Sequence, residues 1–187
     1  MKLKWLGHAS WLLKTGGKNI YIDPYTGEYT EKADIILCTH HHDDHCKPDK
    51  IALIKTPKTE IIAPPECGKK LDTEVLSLKP GEATKIQGVL IEAVEAYNFK
   101  RFRSPGIPFH PKGIGVGYLI TAEDKTIYHV GDSDFIQEMI FAPIPPVIYI
   151  PPSGLNNNAI LPTKAPYILT NSDIALHAAA LFCSASR

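Results

Sequence analysis

Thr39-His40-His41-His42-Asp43-Asp44-His45 places four histidines and two aspartates in seven residues, directly after the apolar run Ile35-Ile36-Leu37-Cys38. Neutral imidazoles and carboxylates are ligands that zinc, manganese and iron accept. His40 and His42 are two apart, so in an extended segment both point to one side, and Asp44 shares their parity. His41 and Asp43 then read as spacers. At the end of a buried strand, such a run can hold one metal on His40 and His42 and a second on Asp44 and His45. A solvated histidine tract would have no reason to follow a strand or to alternate ligand with spacer.

Two metals need a bridging ligand. Gly131-Asp132-Ser133-Asp134 directly follows a strand expected at Thr126 to Val130, and a carboxylate at a strand end can lie between two ions. Alone, Gly-Asp-Ser is a turn. Beside the histidine cluster, Asp132 reads as the bridge.

These residues need a scaffold that brings distant strand ends together. Short strands are expected at Leu3 to Leu6, Ser10 to Lys14 and Asn19 to Asp23, broken by Gly7-His8 and Gly16-Gly17. Asp34 to Thr39 reads as a strand buried on both faces. Pro48 to Lys55 reads as a short helix opened by proline, Glu60 to Ala63 as a strand, and Pro65 to Leu71 as another helical turn. The second half repeats the theme. Strands are expected at Glu74 to Leu78, Thr84 to Ile86, Val89 to Ala96, Gly117 to Thr121, Thr126 to Val130 and Val147 to Ile150. Glu123-Asp124-Lys125 makes a hairpin turn, Asp134 to Ile140 a helical turn or two, and Ser172 to Cys183 a helix capped by Ser172. Two similar halves of this kind imply two sheets packed face to face with helices outside, and a site on the rim where strand ends meet.

The chain has 187 residues, 44% hydrophobic and 21% charged, as suits one soluble globular domain. Twenty basic residues balance twenty acidic ones, so net charge gives no case for nucleic acid or a membrane surface. Cys38, Cys46, Cys67 and Cys183 form no Cys-x-x-Cys pair and read as buried thiols. No signal peptide and no apolar run long enough to span a bilayer is evident, so a cytoplasmic location is the default expectation.

The His-x-His-x-Asp-His pattern resembles the signature of the metallo-β-lactamase-fold hydrolases. Further motifs follow in order: Trp5-Leu6-Gly7-His8-Ala9-Ser10, Ile22-Asp23-Pro24, Ala96-Tyr97-Asn98, Gly115-Val116-Gly117-Tyr118 and Ile127 to Asp134. Together they resemble the branch related to ascorbate-6-phosphate lactonase, most strongly over residues 1 to 154 of a single domain spanning 1 to 187. The resemblance implies an α/β (α+β) αββα sandwich, one or two ions, with Zn2+ expected ahead of Mn2+ or Fe2+, and hydrolysis of an ester-like bond. It implies that His40 and His42 bind the first metal, that Asp44 and His45 bind the second, and that Asp132 bridges. Asp23 would orient a ligand imidazole from behind; its other reading is a turn cap before Pro24. His8 would lie at the rim. His129, inside a strand, reads as packed core.

The chain departs from the family pattern twice. Asn98 stands where many members have a ligand histidine; His110 is the nearby imidazole, positioned to complete the first site or to touch substrate. The C-terminal region also lacks the usual strand ending in a metal-binding histidine, and His177 in mid-helix is no substitute. That departure implies a weaker second site and an exposed sheet edge inviting association with a second copy. The segment Tyr97 to Gly117 carries Lys100, Arg101, Arg103 and Lys112 among Phe99, Phe102 and Phe109, without an acidic residue. Arg101 and Arg103 are the candidates for gripping an anionic substrate.

The expected function is hydrolysis of a small anionic ester-like molecule, a lactone or a phosphodiester, with Asp44 and His110 nearest the chemistry. The rivals are a nuclease and a metal-binding protein without catalysis.

Overall fold

In β2 (Ser10–Thr15), β3 (Lys18–Ile22) and β4 (Ile35–Leu37), alternate side chains divide between two cores. Trp11, Leu13, Ile20, Ile22, Ile35 and Leu37 enter one, and Leu12, Tyr21 and Ile36 the other. Successive strand residues face opposite ways, so this sheet is apolar on both faces and both must be covered. Its inner face meets Ile91, Ala93, Tyr118, Ile120 and Ile127 of a second sheet in one core. Its outer face is covered by α1 (Pro48–Ile54) and α2 (Pro65–Leu71), which contribute Ile51, Ile54 and Cys67. The structure, a computed structural model, describes residues 1–141 and 147–150.

The first sheet has the order β1 (Lys2–Gly7), β2, β3, β4, β5 (Glu60–Ile62). Its first three strands are antiparallel, and β4 and β5 then add in parallel. The second sheet is built from β6 (Ala83–Ile86), β7 (Val89–Ala96), β10 (Gly115–Ala122), β11 (Lys125–His129) and β12 (Val147–Ile150), in the order β12, β11, β10, β7, β6. It too is antiparallel until β12 joins β11 in parallel. Glu123 and Asp124, both with positive φ (50° and 57°), make the tight turn between β10 and β11, as a two-residue hairpin loop requires. The halves pack as two sheets with α1 and α2 outside the first, while α3 (Glu138–Phe141) follows the second. This is the expected αββα arrangement.

Two expectations need correction. Glu74 to Leu78 is not a strand: Leu76 makes a single parallel bridge to Ile62 and is 40% exposed, so little side-chain burial supports a longer ladder. The helix expected from Asp134 begins only at Glu138, because the Asp134 carboxylate accepts hydrogen bonds from the Phe99 and Lys100 amides (2.8 and 2.7 Å) and ties this stretch to the loop after β7. That loop carries a two-stranded ribbon, β8 (Phe102–Ser104) and β9 (Ile107–Pro108), turning at Gly106 with φ 75°. The Ser172 to Cys183 helix, His177 and the sheet edge expected near the C-terminus lie outside the described residues.

Asp23 after β3, the loop after β4, Asn98 after β7, Gly115 at the start of β10 and Asp132 after β11 all gather at one rim. Tyr118, wholly buried, helps lock that rim: its hydroxyl contacts the carbonyls of Cys38 (3.0 Å) and Ile62 (3.3 Å), at the ends of β4 and β5. Tyr118→Phe leaves those acceptors without this donor, and a loss of about 1–3 kcal/mol is expected in chemical denaturation. An unchanged midpoint would show that the cross-sheet bond contributes nothing.

Candidate metal centre

The loop after β4 is not extended. It bends at once and turns through the His45 and Cys46 amides, which donate to the His42 carbonyl (3.1 and 2.8 Å). His40 and His42 therefore converge through a bent loop and not through strand parity, and His41 joins no donor group among the described residues. The loop fits against the second sheet because two glycines face it. A Cβ on Gly115 would come 3.1 Å from the His40 Cβ, and one on Gly131, where φ is 58°, would come 3.0 Å from Thr39.

Asp23 underlies the loop. It is fully buried and has a positive φ of 45°, a conformation rare for such residues and frequent at functional sites. Its Oδ1 accepts from the Thr39 amide (2.7 Å). Its Oδ2 accepts from the Thr39 hydroxyl (2.9 Å), His45 Nδ1 (2.8 Å) and His129 Nε2 (2.9 Å). Burial opposes the charge on Asp23, but His45 and His129 outweigh it and hold the carboxyl well below its usual range. His129, read from sequence as packed core, is indeed buried in β11, yet it also braces Asp23. Nothing local in the sequence indicates this, because the partner lies 106 residues away.

The imidazoles are held by their outer nitrogens. The Thr39 hydroxyl gives its proton to Asp23, so its oxygen accepts from His40 Nδ1 (3.0 Å) and leaves His40 Nε2 bare. His45 Nδ1 is committed to Asp23, which leaves Nε2 facing Asp132 Oδ1 at 3.2 Å, buried and without an aligned hydrogen bond. His110 Nδ1 lies 2.7 Å from Asn98 Oδ1, which leaves its Nε2 3.1 Å from His42 Nδ1 and 3.7 Å from Asp132 Oδ2. His42 Nδ1 is also 3.1 Å from His40 Nε2.

Burial drives the His40 pKa down to about 2, and burial likewise lowers those of His42 and His110, so all three rings are neutral. Burial also opposes charge on His45, but Asp23 and Asp132 overcome it and push its pKa up to about 10. Asp132 is held well below the carboxylate range, by His45 foremost among its partners, against the cost of burial.

Among the described residues three groups of donor atoms result, each with all members within 4.8 Å: His40, His42 and His110; His40, His45 and Asp132; and His8, Asp44 and His45. His8 Nε2 sits 3.1 Å from Asp44 Oδ2 at the exposed mouth. The donor set fits divalent metal: the neutral imidazoles of His40, His42 and His110 and the ionised carboxylates converge, and the buried His45 Nε2, whose proton a divalent ion would replace, has no aligned hydrogen-bond partner among the described residues. Of the sequence candidates, His40, His42, Asp44, His45, Asp132, His110, Asp23 and His8 all come together. Arg101 does not reach in as a free cation, since its Nε lies 3.3 Å from Asp134 Oδ1. Arg103 is exposed on β8. Cys38, Cys46 and Cys67 are buried free thiols, none in these donor groups.

Residues 2–169 match the family described as Beta-lactamase superfamily domain. A UPF0173 metal-dependent hydrolase of Geobacillus sp. (strain WCH70) is 33% identical over 150 residues, covering 74% of this chain and 66% of that protein. One from Archaeoglobus fulgidus is 29% identical over 150 residues, covering 74% and 64%. The chain thus spans slightly less than two thirds of the length of these relatives. The crystal structure of a putative metal-dependent hydrolase from Parabacteroides distasonis superposes with a TM-score of 0.67 and 37% identity, over 73% of this chain and 63% of that one. CmlA, a diiron β-hydroxylase from Streptomyces venezuelae, shares the fold alone, with a TM-score of 0.59, 16% identity, and 78% and 33% coverage.

Asp23→Asn keeps the shape but turns an NH2 group toward donors. The metal-free variant is expected to lose about 3–5 kcal/mol of stability, the usual result of removing one member of a buried charged pair. A denaturation midpoint equal to that of the unaltered chain would mean that Asp23 is only a turn cap.

Proposed function

This chain belongs to the Beta-lactamase superfamily domain family, and we propose that it is a metal-dependent hydrolase of small anionic ester-like substrates, lactones or phosphodiesters. The observation that carries this reading is the approach of three neutral imidazole nitrogens, with His42 Nδ1 3.1 Å from both His40 Nε2 and His110 Nε2. One ring proton bridges only one of these contacts; a cation among the three satisfies all of them. In this assignment His40, His42 and His110 would hold the first ion and Asp44, His45 and Asp132 the second, with the Asp132 carboxylate lying between His45 (3.2 Å) and His110 (3.7 Å). Zinc suits such an imidazole-rich set, and manganese or iron is accommodated by the same donors. Ions bound there supply activation of water at neutral pH and polarisation of a carbonyl or phosphoryl oxygen.

The chain supplies the rest. Asp23 and Thr39 hold the His45 and His40 rings so that their Nε2 atoms face inward. Asp44, 40% exposed at the mouth, is placed to orient a water and to receive its proton on Oδ2. Arg103, exposed on the β8–β9 ribbon seven residues before His110, is the candidate arginine left to meet a substrate anion, since Arg101 is paired with Asp134. The named relatives support the hydrolase reading, and the substrate class rests on the basic ribbon and the resemblance in the sequence.

The first site is the more shielded at its mouth: His40, His42 and His110 are buried or half-buried, whereas the Asp44 side chain of the second is 40% exposed above the buried His45. It is expected to fill before the second, where water competes for the donors. Zinc reconstitution of the full chain, followed by ion counting and assays on lactone and phosphodiester esters, tests the proposal. His42→Ala should lose the first ion and hydrolysis, whereas His41→Ala should keep both. Equal losses from the two would remove the basis for the assignment. Bound zinc without hydrolysis of either ester class would instead support a metal-binding protein without catalysis.

A further inference from the structure

Asn98 stands immediately beyond β7 and is 4% exposed. Its groups make four hydrogen bonds to two residues of the proposed centre. The Asn98 amide N–H donates to the His110 carbonyl (2.8 Å), and the His110 amide N–H donates to Asn98 Oδ1 (3.2 Å). Oδ1 also lies 2.7 Å from His110 Nδ1, while Nδ2 donates to the Asp132 carbonyl (2.8 Å).

Two of these partners have fixed chemistry. A backbone N–H only donates and a backbone carbonyl only accepts. The side-chain amide therefore has one acceptable orientation, with oxygen toward His110 and nitrogen toward Asp132. The flipped amide would set NH2 against N–H at one end and oxygen against oxygen at the other. With Oδ1 facing it, His110 Nδ1 must carry the ring proton. His110 Nε2 is then the bare nitrogen, and it is the one beside His42 and Asp132.

We propose that Asn98 is the positioning residue of the centre: its amide fixes the Nδ1–H tautomer of His110 and ties that ring to the strand end bearing Asp132. The proposal rests on the metal reading for its purpose, but its hydrogen-bond content stands apart from it. His110 arrives on the return arm of the β8–β9 ribbon, where the Phe109 amide donates to the Arg101 carbonyl (3.1 Å). Asn98 closes the base of that ribbon, so an exposed ribbon delivers the His110 ring in one rotamer and one tautomer. A partner on the outer nitrogen of a ligand histidine commonly sets metal affinity by this means.

The test uses the full chain. Nitrogen-15 NMR of the metal-free protein should show His110 as the Nδ1–H tautomer; an Nε2–H tautomer would overturn the proposal whatever the metal does. Zinc affinity, read by competition with a chromophoric chelator, should fall roughly 10–100-fold in Asn98→Ala. Asn98→Asp keeps the acceptor for both His110 donors but sets a carboxylate oxygen against the Asp132 carbonyl, so it should recover part of that affinity. Thermal melts without metal report whether either variant is merely unfolded, and in that event the tautomer in the unaltered chain decides. Wild-type affinity in Asn98→Ala, or equal losses in folded Ala and Asp variants, would refute the role. An unaltered chain that binds no zinc would defeat the metal reading while the tautomer result still judged Asn98.

Discussion

One buried carboxylate organises the centre. Asp23 is wholly removed from water and accepts four hydrogen bonds, from the Thr39 amide and hydroxyl, His45 and His129. A charge in that position is costly unless every lone pair is met, and here the donors come from both sheets. Thr39 and His45 belong to the loop after β4, and His129 to β11. Packing the sheets and satisfying Asp23 are therefore one event. Thr39 passes the constraint outward, because a hydroxyl that donates to Asp23 accepts from His40. Two of the imidazoles thus have their inward nitrogens selected by a single carboxylate.

Asn98 plays the matching part from the second half. It orients His110 and holds the Asp132 strand end, as Asp23 orients His45 and, through Thr39, His40. The parallel follows from the architecture: each sheet is an antiparallel meander extended by parallel strands, and strand ends of both sheets open on the same rim. A polar residue just beyond β3 and another just beyond β7 brace imidazoles delivered by neighbouring segments. Gly115 and Gly131 let the second sheet approach the histidine loop so closely that a Cβ at either would force its neighbour to give way.

Much of this was legible in the sequence. Alternating apolar residues marked β2, β3, β7 and β11, and the histidine run with Asp132 marked side chains that the fold gathers at one rim, because these signals are local. His40 and His42 do converge, but through a loop that bends where parity assumed an extended strand. Glu74 to Leu78 read as a strand because propensity ignores exposure. His110 could be named only as the nearby imidazole, because its place depends on the ribbon folding back through Asn98. The bracing roles of His129 and Asn98 were invisible for the same reason: each is defined by a partner distant in sequence, and a buried histidine or a polar residue after a strand has many ordinary explanations.

The most direct test is crystallographic. Crystals of the full chain grown with zinc, with data collected on either side of the zinc absorption edge, locate the ions independently of activity. The expected result is one strong anomalous peak bounded by His40, His42 and His110, with a second, weaker peak beside Asp44, His45 and Asp132. Zinc bound elsewhere, or no peak among these side chains, would contradict the claim that Asp23 and its partners exist to present a metal centre.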